Sequence, residues 1–160
     1  MSRAFIGIDP GSNGGIATIS PWNICVVEAY PFRKTSMVDV SIILEDLGSR
    51  GVTHALIELV HAMPGQGVTS MFNFGHNFGM LEGLLIGAGI PYDRVTPQKW
   101  QKEFGLYKLP DETKTAKKNR HKELAKELFP TLNVTHATAD ALLIAEYCRR
   151  FYSEQEINPV

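Results

Sequence analysis

The alternation of apolar and polar positions divides the first third of the chain into strands and one helix. Residues 4–8, 15–20 and 24–29 are short apolar runs joined by Gly/Pro/Asn turns, which predicts three strands linked as antiparallel hairpins. Residues 38–47 carry apolar side chains at helical spacing and are followed by two glycines, so they predict a helix and its end. Residues 53–60 form a fourth strand, which after a helical crossover should lie parallel to the first.

The rest of the chain alternates helices with one further strand. After a Gly/Pro loop at 61–69, the pattern predicts a long helix at 70–88, a strand at 91–95, and helices at 97–104, 114–128 and 138–152. The predicted fold class is therefore α/β, a five-stranded mixed sheet covered by helices on both faces. We expect one domain over residues 1–153 and a flexible C-terminal tail at 154–160.

The composition is that of an ordinary soluble domain. The chain has 160 residues, of which 44% are hydrophobic and 21% charged. No apolar run approaches the length of a membrane span, and no signal peptide is visible at the start. Cys25 and Cys148 lie far apart in apolar contexts and are predicted to be free thiols in a reducing compartment. We therefore expect a cytoplasmic protein without a membrane partner.

Charge is distributed unevenly along the chain. Residues 94–126 hold ten Lys/Arg against four Asp/Glu, a net charge of +6, which leaves −7 for the rest of a chain whose total is −1. A basic segment beside an acidic remainder suits a protein that grips a polyanion with one part and binds cations with another. A solvated helix face is the plain alternative from charge alone.

Three acids occupy positions where acids are uncommon. Asp9 ends the first strand, Glu58 interrupts the apolar fourth strand near its end, and Asp140 lies within the apolar pattern of the last helix, four residues after His136. Each has an ordinary explanation alone: a turn residue, a buried ion pair or a surface acid. Together, two acids at the ends of parallel neighbouring strands and one on a helix predict an oxygen-rich site for Mg²⁺ or Mn²⁺. Two such ions can support phosphodiester hydrolysis.

Four segments resemble the RuvC-like Holliday junction resolvases, within the ribonuclease-H-like nuclease superfamily, and most closely the phage-encoded branch. They are GIDPGSNGG at 7–15, ALIELVHAMPGQGVTSMFNFG at 55–75, VTPQKWQKEFGL at 95–106 and ADALLIAEYCRR at 139–150. They span most of the chain in the order expected for the family, and the HAMPGQG–SMFNFG block is far more specific than the DPG turn. The resemblance implies a ribonuclease-H-like three-layer α/β/α fold.

The resemblance also implies an activity. It implies a homodimer that binds four-way junction DNA and cuts two symmetry-related strands by two-metal-ion hydrolysis, with two Mg²⁺ ions per site and Mn²⁺ as a substitute. By position, Asp9, Glu58 and Asp140 would be the catalytic metal ligands. The family has a fourth group a few residues before the last acid, and because position 137 is alanine we assign that role to His136. A phage-encoded enzyme of this kind would act in the host cytoplasm.

Further residues receive roles on the same basis. One of Phe72 and Phe74 is expected to wedge into the junction and stack on bases. The predicted phosphate contacts are the basic residues of the helix at 114–128, namely Lys114, Lys117, Lys118, Arg120 and Lys122. The predicted dimer interface consists of apolar residues of the long helix, namely Met71, Leu81, Leu84 and Leu85. Trp100 is expected to pack in the core.

Four hypotheses about function stay open at this stage. The first is a structure-selective DNA endonuclease. The second is a fragment of an actin- or sugar-kinase-like ATPase, whose fold also opens with an acid and a glycine-rich hairpin, although such enzymes need two domains around the nucleotide. The third is a junction-binding module without catalysis. The fourth is a related nuclease that acts on other branched DNA or on RNA–DNA hybrids.

Overall fold

The computed structural model describes residues 4–20, 26–51 and 53–157, and its centre is a five-stranded mixed sheet. The strands are β1 (Ala4–Asp9), β2 (Gly15–Ser20), β3 (Val26–Pro31), β4 (Thr53–Glu58) and β5 (Tyr92–Val95). Their order in the sheet is β3-β2-β1-β4-β5. β1 pairs antiparallel with β2, as β2 does with β3, whereas β4 lies parallel to both β1 and β5. The predicted fold class and strand directions are confirmed.

Five helices complete the described part of the chain. They are α1 (Met37–Ser49), α2 (Val68–Gly87), α3 (Pro97–Glu103), α4 (Lys114–Leu128) and α5 (His136–Ile157). The bounds of α4 agree with the prediction, but α5 begins two residues earlier than predicted and continues to Ile157, into the segment expected to form a tail. Among the described residues, no helix is both long enough and apolar enough to cross a bilayer.

Strand boundaries moved in two places. β3 reaches Pro31, two residues beyond the predicted end at 29, and it pairs along the full length of β2 from Ser20 back to Gly15. Residues 24 and 25, including Cys25, lie outside the described residues. β4 ends at Glu58 rather than at residue 60, after which the chain leaves the sheet. Cys148 is a buried free thiol.

The strands alternate between two hydrophobic cores, as a sheet covered on both faces requires. From β1, Phe5 enters the core formed with α3, α4 and α5, while Ile6 and Ile8 enter the core formed with α1 and α2. Trp100 of α3 is fully buried in the first core, as predicted.

The predicted dimer interface is wrong for part of α2. Leu81 and Leu85 are both 0% exposed and pack in the molecule's own core against α1 and the sheet, and Leu84 packs beside them. Leu81 and Leu85 are therefore not available to a second copy, whereas Leu84 is only half-buried. The exposed face of α2 instead carries Phe72 and Ile86.

Helix α5 lies directly on β1. A Cβ atom on Gly7 would stand 2.2 Å from the carbonyl oxygen of Ala141 and 2.2 Å from the amide nitrogen of Ala145. Such distances are far below van der Waals contact, so only glycine allows the helix backbone to come this close to the strand. This contact fixes the start of α5 against the end of β1.

Candidate active site

Topology brings the three acids of the sequence to one edge of the sheet. Asp9 is the last residue of β1, and Glu58 is the last residue of the parallel neighbour β4. Asp140 lies one turn into α5, immediately before Ala141, which packs on Gly7 of β1. The carboxyl ends of parallel strands share one edge, and the close packing of α5 adds Asp140 to it.

The acids act on one another electrostatically. Burial raises the pKa of Asp9 to about 6, with the charge of Asp140 adding to the shift and the backbone N–H of Gly11 and the charge of Lys118 opposing it. Burial raises the pKa of Glu58 to about 8, and the charges of Asp9 and Asp140 add to this effect. Raised carboxyl pKa values of this kind mark a place where negative charge accumulates without compensation.

Each acid accepts a hydrogen bond from a different part of the chain. The backbone N–H of Gly11 donates to Asp9 Oδ1 at 3.3 Å, and Trp100 Nε1 donates to Glu58 Oε2 at 2.6 Å. His121 Nδ1 lies 2.7 Å from Asp140 Oδ1. Within residues 4–20, 26–51 and 53–157, no group of three His, Cys, Asp or Glu side chains is arranged to hold a metal ion, and the metal site expected from the sequence stays a prediction.

The chemistry of the donors nevertheless fits a hard divalent cation. Carboxylate oxygens are the ligands that Mg²⁺ and Mn²⁺ take in proteins, and three carboxylates meet here. The opposing effect of Lys118 and Lys117 on the pKa values of Asp9 and Glu58 shows that positive charge at this edge stabilises the ionised acids. Asp9, Glu58, Asp140 and, beside them, His136 are the residues that could hold the cation.

Asp9 and Asp140 open onto a cleft of about 990 Å³. His136, the loop after β4 and the first half of α2 also line this cleft. Gly14 closes the hairpin beneath Asp9, where a Cβ atom would stand 2.6 Å from the carboxyl carbon of Asp9. Because residue 14 has no side chain, the Asp9 carboxylate has room at the lining of the cleft.

The basic residues of α4 fall into different environments. Lys118 lines the cleft, and the charge of Lys117, whose ammonium donates to Gln101 at 3.0 Å, acts on Glu58. Lys114 is exposed and Lys122 half-buried. Arg120 is bound to Glu112 through two nitrogens, at 2.5 and 3.0 Å, so its guanidinium is already engaged within the molecule.

The two aromatic candidates also differ. Phe72 is 74% exposed on the outer face of α2. Phe74 is half-buried, lines the cleft and stacks on Phe78 with ring centroids 6.3 Å apart. Phe72 is exposed to solvent, whereas Phe74 lines the same cleft as Asp9 and Asp140.

Two residues at the site escaped the sequence analysis. Trp100 was expected only to fill the core, but it also donates to Glu58, 42 positions away in sequence. His121 went unnoticed in a lysine-rich helix, although it is 5% exposed and shares a helix face with the buried Ala125. A histidine at helical spacing with the only apolar stripe of a basic helix is the signal that could have found it.

Comparison with solved structures identifies the fold. Thermus thermophilus RuvC in complex with a Holliday junction substrate matches with a TM-score of 0.61 and 18% sequence identity, over 97% of this chain and 96% of that chain. Another T. thermophilus RuvC structure matches with a TM-score of 0.56 and 16% identity, over 98% of this chain and 97% of that chain. No protein-family model and no curated protein sequence matches the chain. The chain thus has a RuvC-like, ribonuclease-H-like fold over almost its whole length.

Proposed function

We propose that this chain is a metal-dependent DNA endonuclease that resolves four-way junctions by paired, symmetric cuts. The observation that carries the proposal is the placement of Asp9, Asp140 and Lys118 at one cleft, with Glu58 on the neighbouring strand end close enough for the charges of Asp9 and Asp140 to raise its pKa. The fold shared with a RuvC bound to a Holliday junction substrate supports the choice of DNA substrate. A kinase-like ATPase fragment lacks this support, because the shared fold extends over the entire nuclease chain.

The residues at the cleft would divide the chemistry among them. Asp9, Glu58, Asp140 and His136 would hold two Mg²⁺ ions, or Mn²⁺ in their place. When bound, the metal supplies an activated water and stabilises the leaving oxygen. Lys118 would contact the phosphate at the cut and balance the charge that builds there, with Lys117 behind it. The two roles of His136 exclude each other: the neutral ring would ligate metal, whereas the protonated ring would instead donate a proton to the leaving oxygen.

The DNA would lie across the cleft and along α4. Lys114 and Lys122 would contact phosphates of the arms, since their side chains reach solvent on the same helix as Lys118. Arg120 would contribute through the shape of the loop it holds rather than through a direct phosphate contact. Phe72 is the better placed side chain for stacking on an unpaired base at the junction centre, and Phe74 would contact the strand inside the cleft.

A homodimer would place two such clefts on one junction. The exposed face of α2 supports this arrangement, because Gly75, Gly79 and Gly83 leave open space where side chains would stand. Phe72 and Ile86 flank these glycines and would supply apolar contact. The specific HAMPGQG–SMFNFG block supports assignment to the phage-encoded branch, whose members would act in the host cytoplasm.

Strand-resolved cleavage tests the proposal. A four-way junction with a short mobile core, a linear duplex and an RNA–DNA hybrid are incubated with Mg²⁺, Mn²⁺ or EDTA, with Asp9→Asn as the matched inactive control. We expect paired, symmetric nicks on the junction alone, absent with EDTA and with the variant. Cutting of the hybrid or of other branched DNA would replace the substrate assignment. Tight junction binding without any cutting would instead favour a binding module.

A further inference from the structure

Two acids of the site are each held by a buried aromatic donor from the helices behind them. Trp100 of α3 donates to Glu58 at 2.6 Å, and His121 of α4 lies 2.7 Å from Asp140. Trp100 is 0% exposed and His121 is 5% exposed. In contrast to surface side chains, groups packed this tightly keep one rotamer and fix the direction of their hydrogen bonds.

The two donors also contact each other. The rings of Trp100 and His121 meet edge to face, with centroids 5.5 Å apart and an interplanar angle of 73°. The bonds to Glu58 and Asp140 therefore belong to one packed unit rather than to two independent side chains. Movement of either ring would disturb both carboxylates.

The second ring nitrogen of His121 indicates that this residue does more than fill the core. Nδ1 makes the contact with Asp140, and the ring carries a second polar nitrogen, Nε2, on its other side. Nε2 is buried and has no hydrogen-bond partner among the described residues. Burying an unpaired polar nitrogen is destabilising, and an apolar side chain at position 121 would avoid it. A histidine at position 121 therefore lowers stability relative to an apolar residue, but it provides the contact that orients Asp140.

We propose that Trp100 and His121 are positioning residues, which fix one oxygen of Glu58 and one of Asp140 and leave the other oxygen of each for a divalent cation. The inference rests on the proposed function. Among the described residues, no hydrogen bond is made to the second oxygen of either acid. Because His121 lies one turn after Lys118 on α4, the helix that contacts phosphate also orients the acid.

The test separates orientation from packing with matched variants. His121→Leu removes the donor and keeps the bulk, His121→Asn keeps a donor near the position of Nδ1, and Trp100→Phe keeps the ring without the N–H. Mg²⁺ and Mn²⁺ binding is measured by calorimetry on the DNA-free protein. Junction affinity in EDTA and the thermal midpoint in EDTA monitor the DNA surface and the fold, and single-turnover cleavage is measured last.

We expect His121→Leu and Trp100→Phe to weaken metal binding and slow cutting by about 10- to 100-fold, the range for partners of metal ligands. Junction affinity should stay unchanged, the midpoint of His121→Leu should not fall, and His121→Asn should restore most of the metal affinity. Wild-type metal affinity in both donor-free variants, or equal losses in His121→Leu and His121→Asn, would overturn the inference. A wild-type protein that binds metal but cuts no DNA would overturn the proposed function alone, since the calorimetric comparison still stands.

Discussion

Two clusters of the same residue types stand near the two ends of helix α5. Near its start, Asp140 meets His121 and the indole of Trp100 lies behind. Twelve residues later, about 18 Å along the helix at 1.5 Å per residue, Tyr152 donates a hydrogen bond to Asp93, and His54 Nε2 lies 3.3 Å from the same oxygen. Both clusters combine an aspartate, a histidine and an aromatic donor.

Their electrostatics are nevertheless opposite. The hydrogen bond from Tyr152, with that from His54, lowers the pKa of Asp93, whose side chain is 65% exposed. At the other end, burial and neighbouring acids raise the pKa values of Asp9 and Glu58. The difference teaches that residue types alone do not define a reactive site. A single solvated acid with two hydrogen-bond donors, such as Asp93, only joins neighbouring elements. Several acids that share one buried edge of the sheet can instead bind a cation.

Removing a carboxylate should give the largest difference in cutting rate between the two clusters at the ends of α5. Asp9→Asn, Glu58→Gln and Asp140→Asn should each reduce junction cutting to the level without enzyme, because each removes a ligand charge, while junction binding in EDTA persists. Asp93→Asn is the matched control and should cut at the wild-type rate. Strand-resolved gels and binding titrations measure both. If Asp93→Asn were as inactive as the other three variants, the claim that only the cluster near Asp140 takes part in cutting would be wrong.

The two histidines provide the next comparison. His136→Ala should slow single-turnover cutting by about 100-fold, the lower range for loss of a proton donor, because His136 lines the cleft beside Asp140. His54→Ala should leave the cutting rate unchanged. If His136→Ala cuts at the wild-type rate, the residue is only an exposed start of α5 and has no part in the chemistry.

The pH dependence of stability should show opposite signs at the two ends. Since the folded pKa values of Asp9 and Glu58 lie above their ordinary values, the folded state binds more protons, and the metal-free protein should lose stability as pH rises from about 5 to about 8. Asp93 has a lowered pKa, so its stabilisation is present above about pH 4 and lost below it.

Thermal midpoints in EDTA across this range measure the effect. Glu58→Gln should flatten the decline between about pH 5 and about pH 8, and Asp93→Asn should leave it unchanged. Added Mg²⁺ should raise the midpoint at the upper pH more than at the lower one, because the acids must be ionised to bind it. A wild-type midpoint that rises with pH in EDTA would contradict the raised pKa values.

The smallest expected effect concerns the lysines. Lys118→Gln should weaken junction binding severalfold and reduce the slope of log affinity against log salt by about 1, as loss of one phosphate contact does. Lys126→Gln is the control, because Lys126 lies on the last turn of α4, is not among the residues that line the cleft, and pairs with Glu123 at 3.0 Å. Filter binding at several salt concentrations measures the slopes. If the two variants gave equal slopes, Lys118 would not contact a phosphate, and the DNA-binding surface would have to lie elsewhere than at the cleft.

Much of this fold was predictable because most of its strands and helices have clear local sequence patterns. The hairpin turns, the crossover to β4 and the bounds of α4 follow from apolar spacing and Gly/Pro positions. The acids were predictable because an acid at the end of a buried strand is costly and therefore conspicuous.

The surroundings of the acids could not be predicted, because they depend on which distant side chains meet. The bond from Trp100 to Glu58 and that from His121 to Asp140 join separate elements, and no spacing in the sequence encodes them. The same is true of the ion pair between Arg120 of α4 and Glu112 in the loop before it. Leu81 and Leu85 were assigned to an interface because helical apolar spacing does not say which surface, internal or external, will cover them.

The close contact at Gly7 has a consequence for how this strand position tolerates mutation. A Cβ atom on residue 7 would stand 2.2 Å from backbone atoms of Ala141 and Ala145, so any residue other than glycine would push α5 away from β1. Because Asp140 immediately precedes Ala141, such a shift would also move this carboxylate relative to Asp9. A substitution in the interior of the sheet, with no side chain in the cleft, would therefore change the spacing of the acids.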